Sequence, residues 1–319
     1  MISSKMGLFL KCPKLNFLLS SILFKNFSYQ VTVSSLYSNY ITLLLEKQVN
    51  EPEESVRHIL MHGLSLGRRR TDFEVNLDKK VSTKDHRRLG DMIRRRLKHE
   101  PIQYIIGEWD FMDFVFKMRP PVLICRPDTE LLVEESLKIL KEELDQKIID
   151  MRESNNTHKT RQRVRIVDLG CGSGVIGVSV AKYLSSYIFE RRKENEMVNH
   201  EIKLVMVDCL REAVELSIEN ANEILKEDQV RWEVVKCDLK ENYDVKELVD
   251  KLKKEKENDQ DMISITISNP PYLPSSNHKN PSPSLSSLQK ELLFEDRNSL
   301  IGFFRILYLF FLWFYNRWR

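Results

Sequence analysis

The β-branched run Val164-Arg-Ile-Val-Asp168 ends at Leu169, passes through Gly170-Cys171-Gly172-Ser173-Gly174, and becomes an apolar helical pattern at Val175. Glycines let the main chain turn left-handed and let a ligand approach it closely. The unpaired N–H groups of the helix that follows favour an electron-rich group. A strand that feeds a helix through a tight turn is the opening of a parallel crossover. The same alternation recurs downstream, with strands expected at 164–168, 204–208, 232–237 and 263–268 and helices at 175–184 and 211–225. It predicts an α/β, Rossmann-like, doubly wound parallel sheet.

Upstream of that sheet the pattern is helical. Val56, Ile59, Leu60 and Leu64 recur at helical spacing, as do Leu89, Met92, Ile93 and Leu97. Residues 46–108 therefore read as a helical domain and 109–128 as a hairpin or linker. The catalytic-type domain spans 129–302, with an amphipathic helix from Thr129 and a loop over about 145–163. The charged stretches 190–196 and 251–261 read as solvated insertions. The final 17 residues, 303–319, form a hydrophobic, aromatic tail that fits neither pattern.

Charge separates the leader from the body. Residues 1–45 hold Lys5, Lys11, Lys14 and Lys25 but no Asp, Glu or Arg. This acid-free composition reads as a targeting segment, for the mitochondrial matrix in the first place and with a secretory signal around Leu15–Phe24 as the rival reading. The remaining 46 basic and 47 acidic residues nearly cancel, which argues against a nucleic-acid coat. The apolar runs are too short for a membrane span. Five scattered cysteines without a C-x-x-C pair argue against a disulfide framework or a zinc site, so no metal is expected. A monomer is expected.

Two constellations carry chemistry. The first is the glycine turn 170–174 with Asp208, which closes the second strand and can accept hydrogen bonds from ribose hydroxyls. Asp238 and Leu239 end the third strand, either bracketing a base or serving as a plain turn. The second is Asn269-Pro270-Pro271-Tyr272, which follows the strand Ile263–Ser268. Asn269 and the carbonyl of Pro270 can accept N–H bonds from a planar amide or amine. Proline stiffens that frame, and Tyr272 can stack on the group. The dinucleotide spacing G-x-G-x-x-G is not met, because Val175 follows Gly174 directly.

Together these motifs resemble the protein-(glutamine-N5) methyltransferases that modify translation release factors, the mitochondrial branch in particular. Further similar stretches are Pro101-Ile-Gln-Tyr104-Ile-Ile-Gly107, Arg126-Pro-Asp-Thr-Glu130 and 287–300. The resemblance covers about residues 50–302. It implies S-adenosylmethionine as cofactor, held by Gly170, Cys171, Gly172, Ser173, Gly174, Asp208, Asp238, Leu239 and Asn269. It implies Asn269, Pro270, Pro271 and Tyr272 as the substrate loop, with Asn269, Pro270 and Tyr272 catalytic. The implied substrate is the glutamine of the Gly-Gly-Gln motif in a class I peptide chain release factor, gripped by the helical domain.

The chain departs from the family pattern in two places. Cys125 stands where the family usually has proline, and the resemblance stops after Gly302, so the C-terminal strands are read as missing. Two other readings compete. One is an amino-methyltransferase of DNA or RNA, since the same loop suits exocyclic amines. The other is a truncated, catalytically dead form that only binds a partner.

Overall fold

The computed structural model describes residues 31–153, 161–194, 199–257, 259, 262–270, 273–274, 290–296 and 301–302. The chain divides into two compact units, one up to Ile106 and one from Gly107. Residues 1–30, part of the stretch read above as a targeting segment, and the tail 303–319 lie outside the described residues.

The first unit is helical. Helix α1 (Val33–Glu46) begins with a reciprocal cap, in which Ser35 N donates to Thr32 Oγ1 and Thr32 N donates to Ser35 Oγ. Its Val33, Leu36, Tyr40, Leu43 and Leu44 are buried with Val56, Ile59 and Leu60 of α2 (Pro52–Gly63). This corrects the boundary drawn at residue 45. The 3–4 spacing of those apolar positions builds core, whatever the acid-free composition suggests. A short α3 (Arg70–Glu74) follows, then α4 (Thr83–Arg96), capped by Ser82 Oγ on Asp85 N. Gly63 lets α2 sit directly on Leu89 of α4, since a Cβ there would collide with the leucine side chain. The unit closes with α5 (Ile102–Ile106).

Much of its basic charge is internally matched. Arg95 pairs with Glu100 at 2.6 Å, Arg88 with Asp85 at 3.3 Å, and Arg94 with Asp91. Arg96 is buried, bonding Ser55 Oγ at 3.0 Å, Glu100 O at 3.0 Å and Asn50 O at 2.9 Å.

The second unit opens with an antiparallel hairpin, β1 (Glu108–Phe111) and β2 (Phe114–Lys117). Helix α6 (Thr129–Glu153) extends into the stretch read as a loop from 145, because Leu144 is buried and Asp145 accepts from Tyr187 and Arg191. The sheet then forms through β3 (Arg161–Leu169), α7 (Val175–Glu194), β4 (Asn199–Asp208), α8 (Arg211–Ile224), β5 (Val230–Lys236), α9 (Asn242–Glu257) and β6 (Ile263–Ser268). Neither charged stretch is a plain insertion in its described part. Residues 190–194 finish α7, and 251–257 finish α9, whose Leu248, Val249 and Leu252 are buried.

All four strands are parallel, in the order β5-β4-β3-β6. Val167, Leu169, Val205 and Val207 face Leu248 and Leu252 of α9. On the opposite face, Leu204 lies under Gly177 of α7, and Met206 lies beside Gly174 and Ser217 of α8. Helices thus cover both faces, the class I methyltransferase arrangement. From β3 the chain builds outward to β4 and β5, then returns to place β6 on the other side of β3. Crevices at such reversals, beyond the carboxyl ends of the strands, are where open α/β sheets bind ligands. Past β6 come a parallel bridge between β7 (Leu273–Pro274) and β8 (Ile301–Gly302) and a 3-10 turn at Lys290–Phe294.

Candidate active site

The glycine turn leaves β3 at that reversal. Gly170, Gly172 and Gly174 all have positive φ, at 71°, 55° and 82°. Residues with a Cβ are strained there, which explains the glycines. The turn is laced to the end of β4. Gly170 N and Cys171 N both donate to Val207 O, at 2.8 and 3.0 Å, and Gly172 N donates to Asp208 Oδ2 at 2.9 Å. A Cβ at Gly170 would meet nothing within 4 Å, so the turn is open on that side. At Gly174 it would press on Met206 and Ser217 at 3.2 Å, so that glycine serves packing.

Cys171 and Ser173 are buried, and their side chains point into protein. They can reach a ligand only through the main chain. Ser173 O accepts from Asn220 Nδ2 at 2.8 Å, and Asn220 Oδ1 accepts from Lys117 N at 2.8 Å. Asn220, which carried no signal in the sequence, thereby ties the hairpin to the glycine turn.

Two carboxylates line the ends of β3 and β4. Asp208 accepts from Gly172 N through one oxygen and from Leu210 N through the other, each at 2.9 Å. Burial raises its pKa, against the pull of those N–H groups. Asp168 is fully buried, and Gly177 N donates to its Oδ2 at 2.8 Å. Its Oδ1 is buried without a hydrogen-bond partner among the described residues. Burial pushes its pKa up to about 7, and the negative charge of Asp208 adds to the rise. A buried carboxylate with an unpartnered oxygen favours positive charge nearby. The donor set therefore fits S-adenosylmethionine, which carries an ammonium and a sulfonium.

Asp238 has a more local part. Its Oδ1 accepts from Lys240 N at 2.9 Å, while its own N–H donates to Asp244 Oδ2 at 3.1 Å, so it forms the turn into α9. Leu239 packs against the apolar cluster beneath α9.

The last strand brings Asn269 to the glycine turn. Leu169 and Ser268 are register partners, and Ser268 Oγ donates to Leu169 O at 2.8 Å. Gly170 and Asn269 therefore leave adjacent strands side by side, at a strand spacing of about 4.8 Å. The Asn269 carboxamide donates from Nδ2 to Thr129 Oγ1 at 3.3 Å. Pro270 is half-buried; Pro271 and Tyr272 lie outside the described residues.

One more segment reaches this end of the sheet. Glu295, with a side chain only 1% exposed, accepts from Arg126 at 2.8 Å, and Asp296 N donates to Pro121 O at 2.6 Å. Among the described residues no group of His, Cys, Asp and Glu is arranged to hold a metal ion. No described helix is long and apolar enough to cross a membrane.

Residues 36–107 match the family model of the PrmC N-terminal domain. Over 271 residues the chain is 25% identical to a release factor glutamine methyltransferase of Fusobacterium nucleatum, covering 85% of this chain and 62% of that protein. It is 34% identical over 163 residues to one from Haemophilus influenzae, covering 51% and 48%. A human release factor glutamine methyltransferase matches at 26% over 195 residues, covering 61% and 50%. Over these spans the chain is similar to release factor glutamine methyltransferases. It spans 62% or less of the length of these three relatives. Asp168, Thr129 and Asn220 contact the glycine turn, its helix or Asn269, and motif reading passed over them.

Proposed function

We propose that this chain transfers a methyl group from S-adenosylmethionine to the side-chain amide nitrogen of the glutamine in the Gly-Gly-Gln motif of a class I release factor. The observation that carries the reading is the Leu169–Ser268 pairing, which sets the glycine turn beside Asn269 at the sheet reversal. The relatives' names supply the kind of substrate. The cofactor supplies an electrophilic methyl group on a positively charged sulfur. Gly170 to Gly174, Asp208 and Asp168 would hold it, with Asp238 and Leu239 at the adenine side.

Asn269 Oδ1 and the Pro270 carbonyl would each accept one N–H of the glutamine amide, turning its nitrogen toward the methyl. S-adenosylmethionine held there would supply the methyl group to that nitrogen, its sulfur keeping the carbon–sulfur electron pair. One amide proton then departs to water. An amide is a weak nucleophile, so the protein contributes chiefly orientation, worth up to about 7–11 kcal/mol in well-aligned systems. Pro271 and Tyr272 would complete the cradle, and the helical unit would grip the release factor. We place the chain, as a monomer, in the mitochondrial matrix on the acid-free composition of its first 30 residues.

The test is to incubate the full chain with S-adenosylmethionine and a mitochondrial release factor and to map methylation by mass spectrometry. One methyl group is expected on the Gly-Gly-Gln glutamine, and about a hundredfold loss of rate in Asn269→Ala, the scale on which lost alignment acts. A folded, soluble chain that leaves the glutamine unmodified, or methylates nucleic acid instead, overturns the reading.

A further inference from the structure

We propose that Thr129 is a positioning residue that sets which way the Asn269 carboxamide faces. The inference rests on the proposed methyl transfer to an amide nitrogen and adds the means by which the asparagine is oriented. A carboxamide has two ends of opposite character, an acceptor oxygen and a donor NH2. Only the oxygen can receive a substrate N–H. Turned over, the same side chain would aim two donors at the substrate amide and repel it.

Three features of the structure fix the orientation. Asn269 Nδ2 donates to Thr129 Oγ1 at 3.3 Å, which commits the NH2 end to protein and leaves Oδ1 for the substrate. Thr129 is itself held. It is 7% exposed, and its N–H donates to Arg126 O at 3.0 Å at the start of α6. Its β-branched side chain has few rotamers to choose from, so the hydroxyl oxygen that accepts from Asn269 is held in place. The main chain on the other side is pinned as well, because Ser268 Oγ bonds Leu169 O at 2.8 Å. The carboxamide is thus gripped through its backbone by β3 and through its NH2 by α6.

Substitutions of nearly equal shape separate orientation from folding. Thr129→Val keeps the branched shape and loses the acceptor; Thr129→Ser keeps the acceptor. With the full chain, Thr129→Val is expected to lower the rate at saturating substrate about tenfold or more, the scale on which small misalignments act. Cofactor affinity and melting temperature should stay near wild type, and Thr129→Ser should remain within about threefold of wild-type rate. In an Asn269→Ala background, Thr129→Val should cost nothing further, since its only route to the reaction is gone.

A second readout does not depend on activity. The side-chain amide signals of Asn269 in a nitrogen-15 spectrum, assigned by their loss in Asn269→Ala, should show slowed proton exchange in wild type and Thr129→Ser. That protection should vanish in Thr129→Val. An inactive wild type that still shows this pattern would sink the proposed reaction while upholding the orienting contact. Unchanged amide signals in Thr129→Val, or a rate loss that multiplies with Asn269→Ala, would overturn the proposal.

Discussion

Asp168→Asn should stabilise the cofactor-free protein at alkaline pH and abolish its attraction for a cation. In the folded chain, burial raises the Asp168 carboxyl from 3.8 to about 7. Between those values the folded state keeps a proton that the unfolded state has released. Stability therefore falls as pH rises from about 4 to about 7 and is level above that. At about 1.4 kcal/mol per pH unit the whole span is worth at most about 4 kcal/mol. Asparagine is neutral throughout and still offers an oxygen to Gly177 N. Its NH2 would occupy the place of the unpartnered Oδ1, at a cost of about 1–3 kcal/mol, similar to that of the protonated acid. The two forms should match near pH 4, and the variant should gain up to about 4 kcal/mol on wild type by pH 8. Urea unfolding of both proteins at the two pH values measures this gap. An advantage that fails to grow with pH refutes the account of a buried, destabilised carboxylate. Calorimetry tests the functional half. Wild type binding S-adenosylmethionine at pH 7 should release up to about half a proton, seen by comparing buffers of different ionisation heat, and the variant should release none.

Two further outcomes follow from buried ionic contacts. Arg96→Ala should destabilise the helical unit by about 3–5 kcal/mol, since it removes the bonds to Ser55, Glu100 and Asn50 at once; Arg96→Lys should rescue little, lacking the fork that reaches all three. Thermal melting monitored by helical circular dichroism checks both. Glu295→Ala should strip Arg126 of its partner and release the 290–296 segment, at a cost of about 1–3 kcal/mol given that Arg126 is 34% exposed; limited proteolysis should cut there faster, with Arg126→Gln doing the same and the double variant adding nothing.

Legibility in the sequence followed the density of apolar residues. Strand β6 was readable to its ends because Ile263, Ile265 and Ile267 alternate in a short run bounded by Met262 and Asn269. Helix α9 was not, since Lys and Glu dominate it and only Leu248, Val249 and Leu252 turn inward. Helix α1 hid behind the composition of a leader, although Leu36, Tyr40, Leu43 and Leu44 keep a helical beat. At the site, the motif residues were visible because glycine and proline mark backbone that must bend. Their supports were invisible. Thr129 and Asn269 lie 140 positions apart, and Asn220 meets Ser173 across 47. Nothing local encodes such contacts; they appear only when the sheet assembles and its helices pack on it.

The division of charge within the site argues for its chemistry. On the β3–β4 side, Asp168 and Asp208 are two carboxylates driven upward by burial, and the charge of Asp208 raises Asp168 further. A neutral residue at 168 could cap Gly177 as well and would spare the fold that burden. The acid is explained if a cation is to be drawn there. On the β6 side, Asn269 and the Pro270 carbonyl are neutral acceptors, matched to a neutral amide whose protons stay in place until the new bond forms. A positively charged donor and an uncharged nitrogen acceptor would meet where the two strands part. The asymmetry also tells which pH dependence to expect. A rate that follows the ionisation of Asp168 through cofactor binding fits this arrangement, whereas one that needs a base beside Asn269 does not.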